Sequence, residues 1–271
     1  MNLIKKIAVC SRSFSRNKTL CDELLKKYDN VVFNDKGLSL HGDSLIEFLQ
    51  GATHAIVALE KIDATILSKL PDLEVISKYG VGLDMIDINA MNKYSVKLGW
   101  TGGVNRRSVS ELVIAFSISL LRHVPAAHKE VLSGIWKQHI GGHLSGRTVG
   151  IIGCGFVGKD LIKLLQSFGC NILANDIRNY DKFYKKYNVK SVSKEELLAK
   201  SDIVTLHTPL NNSTRNMLNS ERLSIMNSNA ILINVARGGL VDEVALKNML
   251  ISKEIAAAAF DVFTVEPPED L

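Results

Sequence analysis

Three glycines in the run Gly153-Cys154-Gly155-Phe156-Val157-Gly158 follow an apolar stretch, Thr148–Ile152, and open an amphipathic one, Phe156–Ser167. The chemistry of that spacing is anion binding by backbone. Gly153 permits a tight turn, Gly155 lets main chain approach a pyrophosphate with no Cβ in the way, and Gly158 lets helix and strand pack closely. Phe156 and Val157 lie in the same loop, where the helix N-terminus turns unpaired N–H groups and partial positive charge toward phosphates. Asp176, at the end of the next strand after Ile172–Asn175, can accept from both ribose hydroxyls and would repel a 2′-phosphate. Together these residues predict a dinucleotide site that prefers NAD, with Arg178 close enough to soften the discrimination against NADP. A tight strand–helix turn with an exposed acid is the alternative reading of the same residues.

Other residues carry chemistry with less sequence context. Gly80-Val81-Gly82 can form a nest of backbone N–H groups for a carboxylate, or a turn between strand and helix. Arg237, followed by Gly238 and Gly239, comes after the apolar run Ala230–Asn234, where open α/β sheets bind ligands. A guanidinium there can clamp a carboxylate with two prongs and polarise a carbonyl. Glu266, before Pro267 and Pro268, reads on its own as a loop residue. Cys10, Cys21, Cys154 and Cys170 show neither C-x-x-C pairing nor histidines at ligand spacing, which predicts reduced thiols, no metal site and a cytoplasmic protein.

The elements that must position these groups alternate along the chain. Ile7–Cys10, Ala55–Ala58 and Val75–Ser77 read as buried strands, with helices over Lys18–Tyr28 and Asp63–Leu70 between them. Further on, strands are expected at Thr148–Ile152, Asn171–Ala174, Asp202–Leu206, Ala230–Asn234 and Ile255–Phe260, and helices at Phe156–Ser167, Lys194–Lys200 and Glu243–Ser252. Repeated βα units imply an α/β protein with parallel sheets covered on both faces. An apolar helix is expected over Ser108–Leu121, with Ser108 and Glu111 in capping-box spacing and Pro125 ending or kinking it. It reads as a linker between two domains, 1–100 and 101–271, that also contributes to a homodimer interface.

The net charge of +5, from 33 basic and 28 acidic residues, is scattered, and its densest stretch, 182–200, is interrupted by Tyr, Val and Glu. That pattern argues against a nucleic-acid surface, which needs a clustered stripe. No stretch reaches the roughly 20 apolar residues that cross a bilayer, so no membrane partner is expected. Met1–Cys10 begins like a signal peptide, but its apolar run is short and Ser11, Arg12 and Ser13 follow at once, which fits a first strand better.

From residue 75 onward the chain resembles the D-isomer-specific 2-hydroxyacid dehydrogenase family, and phosphoglycerate dehydrogenases most of all. The matching segments are Tyr79–Asp87, Asn105–Glu111, the glycine loop, His207–Thr214, Asn234–Glu243 and Ala259–Pro267. The resemblance implies two doubly wound parallel-sheet domains: a flavodoxin-like substrate domain and a Rossmann NAD-binding domain. It implies oxidoreductase chemistry, with hydride transfer between NAD and a small D-2-hydroxy acid, 3-phosphoglycerate among the options. It assigns Arg237 and Glu266 to catalysis, Glu266 by pairing with a histidine and raising its pKa. Tyr79, Gly80, Val81, Gly82 and Asn105 fall to substrate binding together with Arg237. His207, Thr208, Pro209, Val235 and Ala236 line the cofactor cleft, and Asp261 meets the nicotinamide carboxamide.

The sequence departs from the pattern in two places. The family's proton-carrying histidine lies beyond the glutamate in a Pro-His segment, and none of the seven histidines here sits in such a motif. The expectation is a chain whose last strand and return helix are missing and whose turnover is reduced by ~10²–10⁴-fold. An NAD-binding pseudoenzyme or corepressor-like scaffold is the alternative. Phosphoglycerate dehydrogenases usually place arginines where this chain has Lys78 and Ala58, so a non-phosphorylated acid is also open.

Overall fold

Strands buried on both faces of a parallel sheet read as unbroken apolar runs, because helices cover each side. The computed structural model describes residues 5–268. Met1–Ile4, the start of the signal-like segment, and Glu269–Leu271, the end of the chain, lie outside the described residues. The chain divides into two compact units, Met1–Val104 and Asn105–Leu271.

In the first unit, β1 (Ile7–Val9), β2 (Val31–Phe33), β3 (His54–Val57), β4 (Val75–Lys78) and β5 (Lys97–Gly99) pair in parallel in the order β2-β1-β3-β4-β5. That is the flavodoxin-like order, with a switch point between β1 and β3. Its core joins Ala8, Leu45, Leu49, Val57, Ile62, Ile76 and Met91. Side-chain caps start the helices between strands. Asn17 Oδ1 accepts from the Leu20 N–H, Asp63 Oδ1 from those of Thr65 and Ile66, and Asp87 Oδ1 from that of Ala90. Each such cap contributes about 1 kcal/mol.

In the second unit, β6 (Thr148–Ile152), β7 (Asn171–Asn175), β8 (Val189–Ser191), β9 (Ile203–Leu206), β10 (Ile231–Asn234) and β11 (Ala257–Phe260) form a parallel sheet. Its order, β11-β10-β9-β6-β7-β8, is that of a Rossmann fold, with the reversal between β6 and β9. Successive residues of a strand face opposite sides, and the two cores divide accordingly. Ile151, Ile172, Ile203 and Ile231 enter one core, whereas Ile152, Leu173, Val204 and Leu232 enter the other.

The fold class stands as the sequence predicts, with local corrections. The long helix begins at Arg106 rather than Ser108, so Ser108 lies inside its first turn and the Ser108–Glu111 capping box does not form; Asn105 is the N-cap, without a side-chain cap bond. The helix stops at Leu121. Pro125 stands in the first turn of a separate helix, Val124–Leu132, bent by 61° from the first. β2, β5 and β8 were not anticipated, nor was the helix Gly42–Leu49. Among the described residues no single helix is long and apolar enough to cross a membrane.

One glycine fixes how closely a covering helix lies on the second sheet. A Cβ on Gly150, in β6, would stand 2.3 Å from Ser201 Oγ and 2.4 Å from Leu197 Cδ2. Gly150→Ala should therefore lower stability by about 1–3 kcal/mol, the usual cost of overpacking. Chemical denaturation followed by circular dichroism measures it, and an unchanged midpoint refutes the packing assignment.

Candidate functional site

The glycine loop leaves β6 at Ile152 and turns at once, with Gly153 at φ +97°. A Cβ there would lie 2.6 Å from the carbonyl oxygen of His207 and 2.9 Å from Thr208 Cγ2, so glycine is required by both conformation and space. Gly158 is required by space alone: its Cβ would fall 2.2 Å from the Gly153 carbonyl oxygen. At Gly155 an added Cβ would meet nothing within 4 Å. That opening lies at the N-terminus of the helix Phe156–Leu165, which no side chain caps. Backbone N–H groups facing open space at a helix start form an anion site.

Asp176 stands just past the end of β7, where the spacing puts it, and does a second thing. Its Oδ2 accepts from the Cys154 N–H at 2.6 Å and its Oδ1 from the Arg178 N–H at 2.7 Å. The acid thus braces the glycine loop from the side. A carboxylate has about four acceptor positions, so two remain for hydroxyls of a ligand. Ile177, beside it, is fully exposed. Cys154 is buried, and burial pushes its thiol up to about 11, so it fills space as a neutral group. Lys159, one turn into the helix, places its ammonium 3.4 Å from the Tyr180 ring centroid. Arg107 pairs with the buried Asp160 through Nε (3.0 Å) and Nη2 (3.1 Å), tying the long helix to the glycine-loop helix. Sequence reasoning missed both contacts, because only the packing of separate elements creates them.

His207-Thr208-Pro209 follows β9 and lies against Gly153. The His207 N–H donates to the Ile152 carbonyl at 2.8 Å, and its Nε2 is 3.0 Å from the hydroxyl of buried Thr205. Thr208 Oγ1 is buried with no hydrogen-bond partner among the described residues. Such an orphan, beside an uncapped helix start and open space at Gly155, leaves a hydrogen bond for a polar ligand to make along this edge. The residues present fit a dinucleotide.

The loop after β10 carries Val235, Ala236 and Arg237. Asn234 shapes it by donating from Nδ2 to the Arg237 carbonyl (2.8 Å) and accepting at Oδ1 from the Ala236 N–H (3.1 Å). Arg237 is half-buried, and its Nη1 reaches the Ala236 carbonyl at 2.6 Å. A Cβ on Gly238 would lie 1.9 Å from the Phe263 carbonyl oxygen, so this loop and the one after β11 touch backbone to backbone. Asp261 starts that second loop, its N–H bonded to the Asn234 carbonyl at 3.0 Å. Glu266 Oε1 accepts from the Phe263 N–H at 2.9 Å. Among the described residues no histidine is ion-paired with Glu266, and no group of three or more His, Cys, Asp or Glu side chains could hold a metal.

In the first unit, Tyr79 extends β4 by donating its N–H to the Val57 carbonyl at 2.7 Å, and its ring meets Phe14 edge-on. Gly80 follows at φ +124°, and Trp100 Nε1 donates to the Val81 carbonyl at 3.1 Å. Gly80, Val81 and Gly82 thus follow directly on a strand's C-terminal end. Asn105 is exposed at the start of its helix.

A family model described as "D-isomer specific 2-hydroxyacid dehydrogenase, NAD binding domain" matches residues 114–271. The chain is 37% identical over 212 residues to D-3-phosphoglycerate dehydrogenase of Bacillus subtilis, covering 78% of this chain and 40% of that protein. It is 32% identical over 257 residues to hydroxypyruvate reductase of Thermotoga maritima, covering 92% and 83%. Among solved structures, the TT0316 protein of Thermus thermophilus superposes with a TM-score of 0.87 at 30% identity, covering 98% of this chain and 85% of that one. The chain spans 40–49% of the length of the phosphoglycerate dehydrogenases it matches.

Burial pushes the His207 imidazole down to about 3. An unfolded histidine titrates near 6.5. Below that pH the unfolded chain takes up a proton that the folded chain refuses, so stability falls as pH drops from about 6.5 toward 3, by at most about 1.4 kcal/mol per unit from this group. Denaturation midpoints measured from neutral to acid pH should decline more steeply for the parent than for His207→Gln, each scaled to its neutral value. Parallel profiles would exclude a neutral, buried His207.

Proposed function

Because the chain belongs to the D-isomer specific 2-hydroxyacid dehydrogenase family, we propose that it interconverts a D-2-hydroxy acid and its 2-oxo acid with NAD. The observation that carries this reading is the half-buried Arg237 on a loop locked to the segment of Asp261 and Glu266, on the same sheet edge as a complete glycine cradle. NAD, when bound, supplies or accepts the hydride at the substrate's second carbon. Gly153, Gly155, Phe156, Val157 and Gly158 hold the pyrophosphate through backbone N–H groups. Asp176 takes the adenosine ribose hydroxyls on its two remaining acceptor positions, and its charge opposes a 2′-phosphate. His207, Thr208, Pro209, Val235 and Ala236 wall the cofactor, and Asp261 holds the nicotinamide carboxamide.

Arg237 binds the substrate and polarises its reacting carbonyl, stabilising the negative charge that develops on oxygen. Gly80, Val81 and Gly82 receive the carboxylate on backbone N–H groups, with Tyr79 and Asn105 as further substrate contacts. By family resemblance Glu266 is assigned to pair with a proton-carrying imidazole and raise its basicity, a place that no histidine fills by ion pairing among the described residues. Its one backbone bond among the described residues, to Phe263, leaves acceptor positions for such a partner.

We also assign the protein to the cytoplasm and to a homodimer. Four unbridged cysteines support a reducing compartment. The long helix turns Val113 and Ser117 into the second unit's core, but the residues after it leave large apolar side chains in water. Val124, Val131, Leu132 and Ile135 are exposed, and Trp136 and Ile140 keep 91% and 92% of their surface. A concentration of exposed large apolar side chains in one segment marks a surface for association, and a second copy of the same segment supplies a matching surface.

Arg237→Gln should lower kcat/KM for reduction of hydroxypyruvate or glyoxylate about 10²–10³-fold, followed as NADH consumption. Arg237→Lys should not restore it, since a point charge cannot replace a fork. Parent rates in either variant overturn the assignment. Sedimentation should give a dimer for the parent and a monomer for Trp136→Glu; a monomeric parent excludes self-association.

A further inference from the structure

The C-terminal edge of the first unit's sheet holds a charge arrangement that hydride transfer does not need. The switch point of the order β2-β1-β3-β4-β5 falls between β1 and β3, the place where open α/β sheets bind ligands. Cys10 and Ser11, both without exposed surface, follow β1, and Ser13 is exposed beyond them with its hydroxyl 3.2 Å from that of Ser11. Ala58, Leu59 and Glu60 follow β3, and Tyr79 and Gly80 follow Lys78 at the end of β4.

Glu60 is 8% exposed, an unusual degree of burial for a carboxylate. Its side chain folds back so that Oε2 accepts from the Ala58 N–H at 2.6 Å. Lys78 donates its ammonium to the carbonyl of the same residue, Ala58. The two charges therefore grip the two ends of one residue at the end of β3. They face different neighbours. The Lys78 Nζ lies 3.6 Å from where a Cβ on Gly80 would stand, beside the proposed carboxylate nest. Cys10, just after β1, is held as a neutral thiol by burial first and by the charge of nearby Glu60 second. The β4 side of this sheet edge thus suits an anion, and the Glu60 side opposes one.

We infer that Glu60 determines substrate specificity: it excludes a second anionic group, phosphate above all, from the tail of the 2-oxo acid and selects tails that end in hydroxyl donors. The inference rests on the reading of the chain as a 2-hydroxyacid dehydrogenase and deepens it to a substrate class. Lys78 meets the carboxylate that every substrate of this chemistry carries. A dianionic phosphate at the other end would face the buried Glu60 charge, and like charges in a poorly hydrated setting discriminate strongly. A tail hydroxyl would instead donate to Glu60 Oε1, the carboxylate oxygen that does not hold the Ala58 N–H.

Hydroxypyruvate and 3-phosphohydroxypyruvate differ only by the phosphate, so their kcat/KM ratio with NADH reads the discrimination directly. The parent chain should favour hydroxypyruvate by at least about tenfold. Glu60→Gln keeps an acceptor for the Ala58 N–H and removes the charge. It should lower KM for the phosphorylated acid by about tenfold without lowering it for hydroxypyruvate. A purely structural Glu60 would move both KM values in the same direction, and that result overturns the inference. So does a parent that prefers the phosphorylated acid, a measurement that decides the matter even if the glutamine variant does not fold. If neither acid is reduced, the dehydrogenase reading fails at turnover, and calorimetric titration of the NADH-loaded chain with D-glycerate and 3-phospho-D-glycerate reads the same selection. Tighter binding of D-glycerate upholds it, and equal or reversed affinity sinks it.

Discussion

The second unit depends on one close approach, the carbonyl of Gly153 set where a side chain on Gly158 would begin. No other residue type permits it, because an added carbon would fall at 2.2 Å from the oxygen. That approach draws the helix Phe156–Leu165 down onto β6 and aims its uncapped start past the sheet's edge. The other groups at that edge are then referenced to the loop. His207 and Thr208 pack against Gly153, and Asp176 holds the backbone of Cys154. Further along the sheet, Asp261 is tied to the end of β10 and Gly238 rests on Phe263. Backbone meets backbone at several of these junctions, at Gly153, Gly158, Gly238 and Asp261.

The first unit solves the matching problem with other means. Its edge is built by charged side chains, Glu60 and Lys78, that bind the main chain of Ala58. A backbone cradle offers the same N–H groups whatever the side chains are, which suits a ligand common to a whole family. A charged side chain can be exchanged by a single substitution, and suits the part of the chemistry in which relatives differ. Those relatives include phosphoglycerate dehydrogenases and a hydroxypyruvate reductase.

What could be read from the sequence follows that same line. Thr148–Ile152 and Lys194–Lys200 stood at their observed bounds, since the first is an unbroken apolar run and the second a short helix capped by Ser193. The strands β2, β5 and β8 escaped notice because they are three residues long and lie at or beside sheet edges, where exposed and buried residues mix. The Ser108–Glu111 spacing misled, because helix start is decided by the turn at Asn105 rather than by one hydroxyl. In the candidate site, the glycine loop and Asp176 were legible because backbone geometry restricts residue type there. The Glu60–Ala58 bond, the Arg107–Asp160 pair and the contact of Gly238 with Phe263 were not. Each joins segments, or turns of one segment, whose meeting only the folded chain creates.

Asp176 has a consequence for how this protein can change over generations. Its carboxylate is the proposed partner of the ribose hydroxyls and also secures the Cys154 N–H, 2.6 Å away. Under the role assigned to it, cofactor preference and loop shape are inherited as one trait. A lineage that exchanged Asp176 for a small neutral residue to admit a 2′-phosphate would leave that N–H without its acceptor and loosen the cradle in the same step. The path to a different dinucleotide therefore runs through at least two substitutions, with a replacement acceptor for Cys154 arising before the acid is lost.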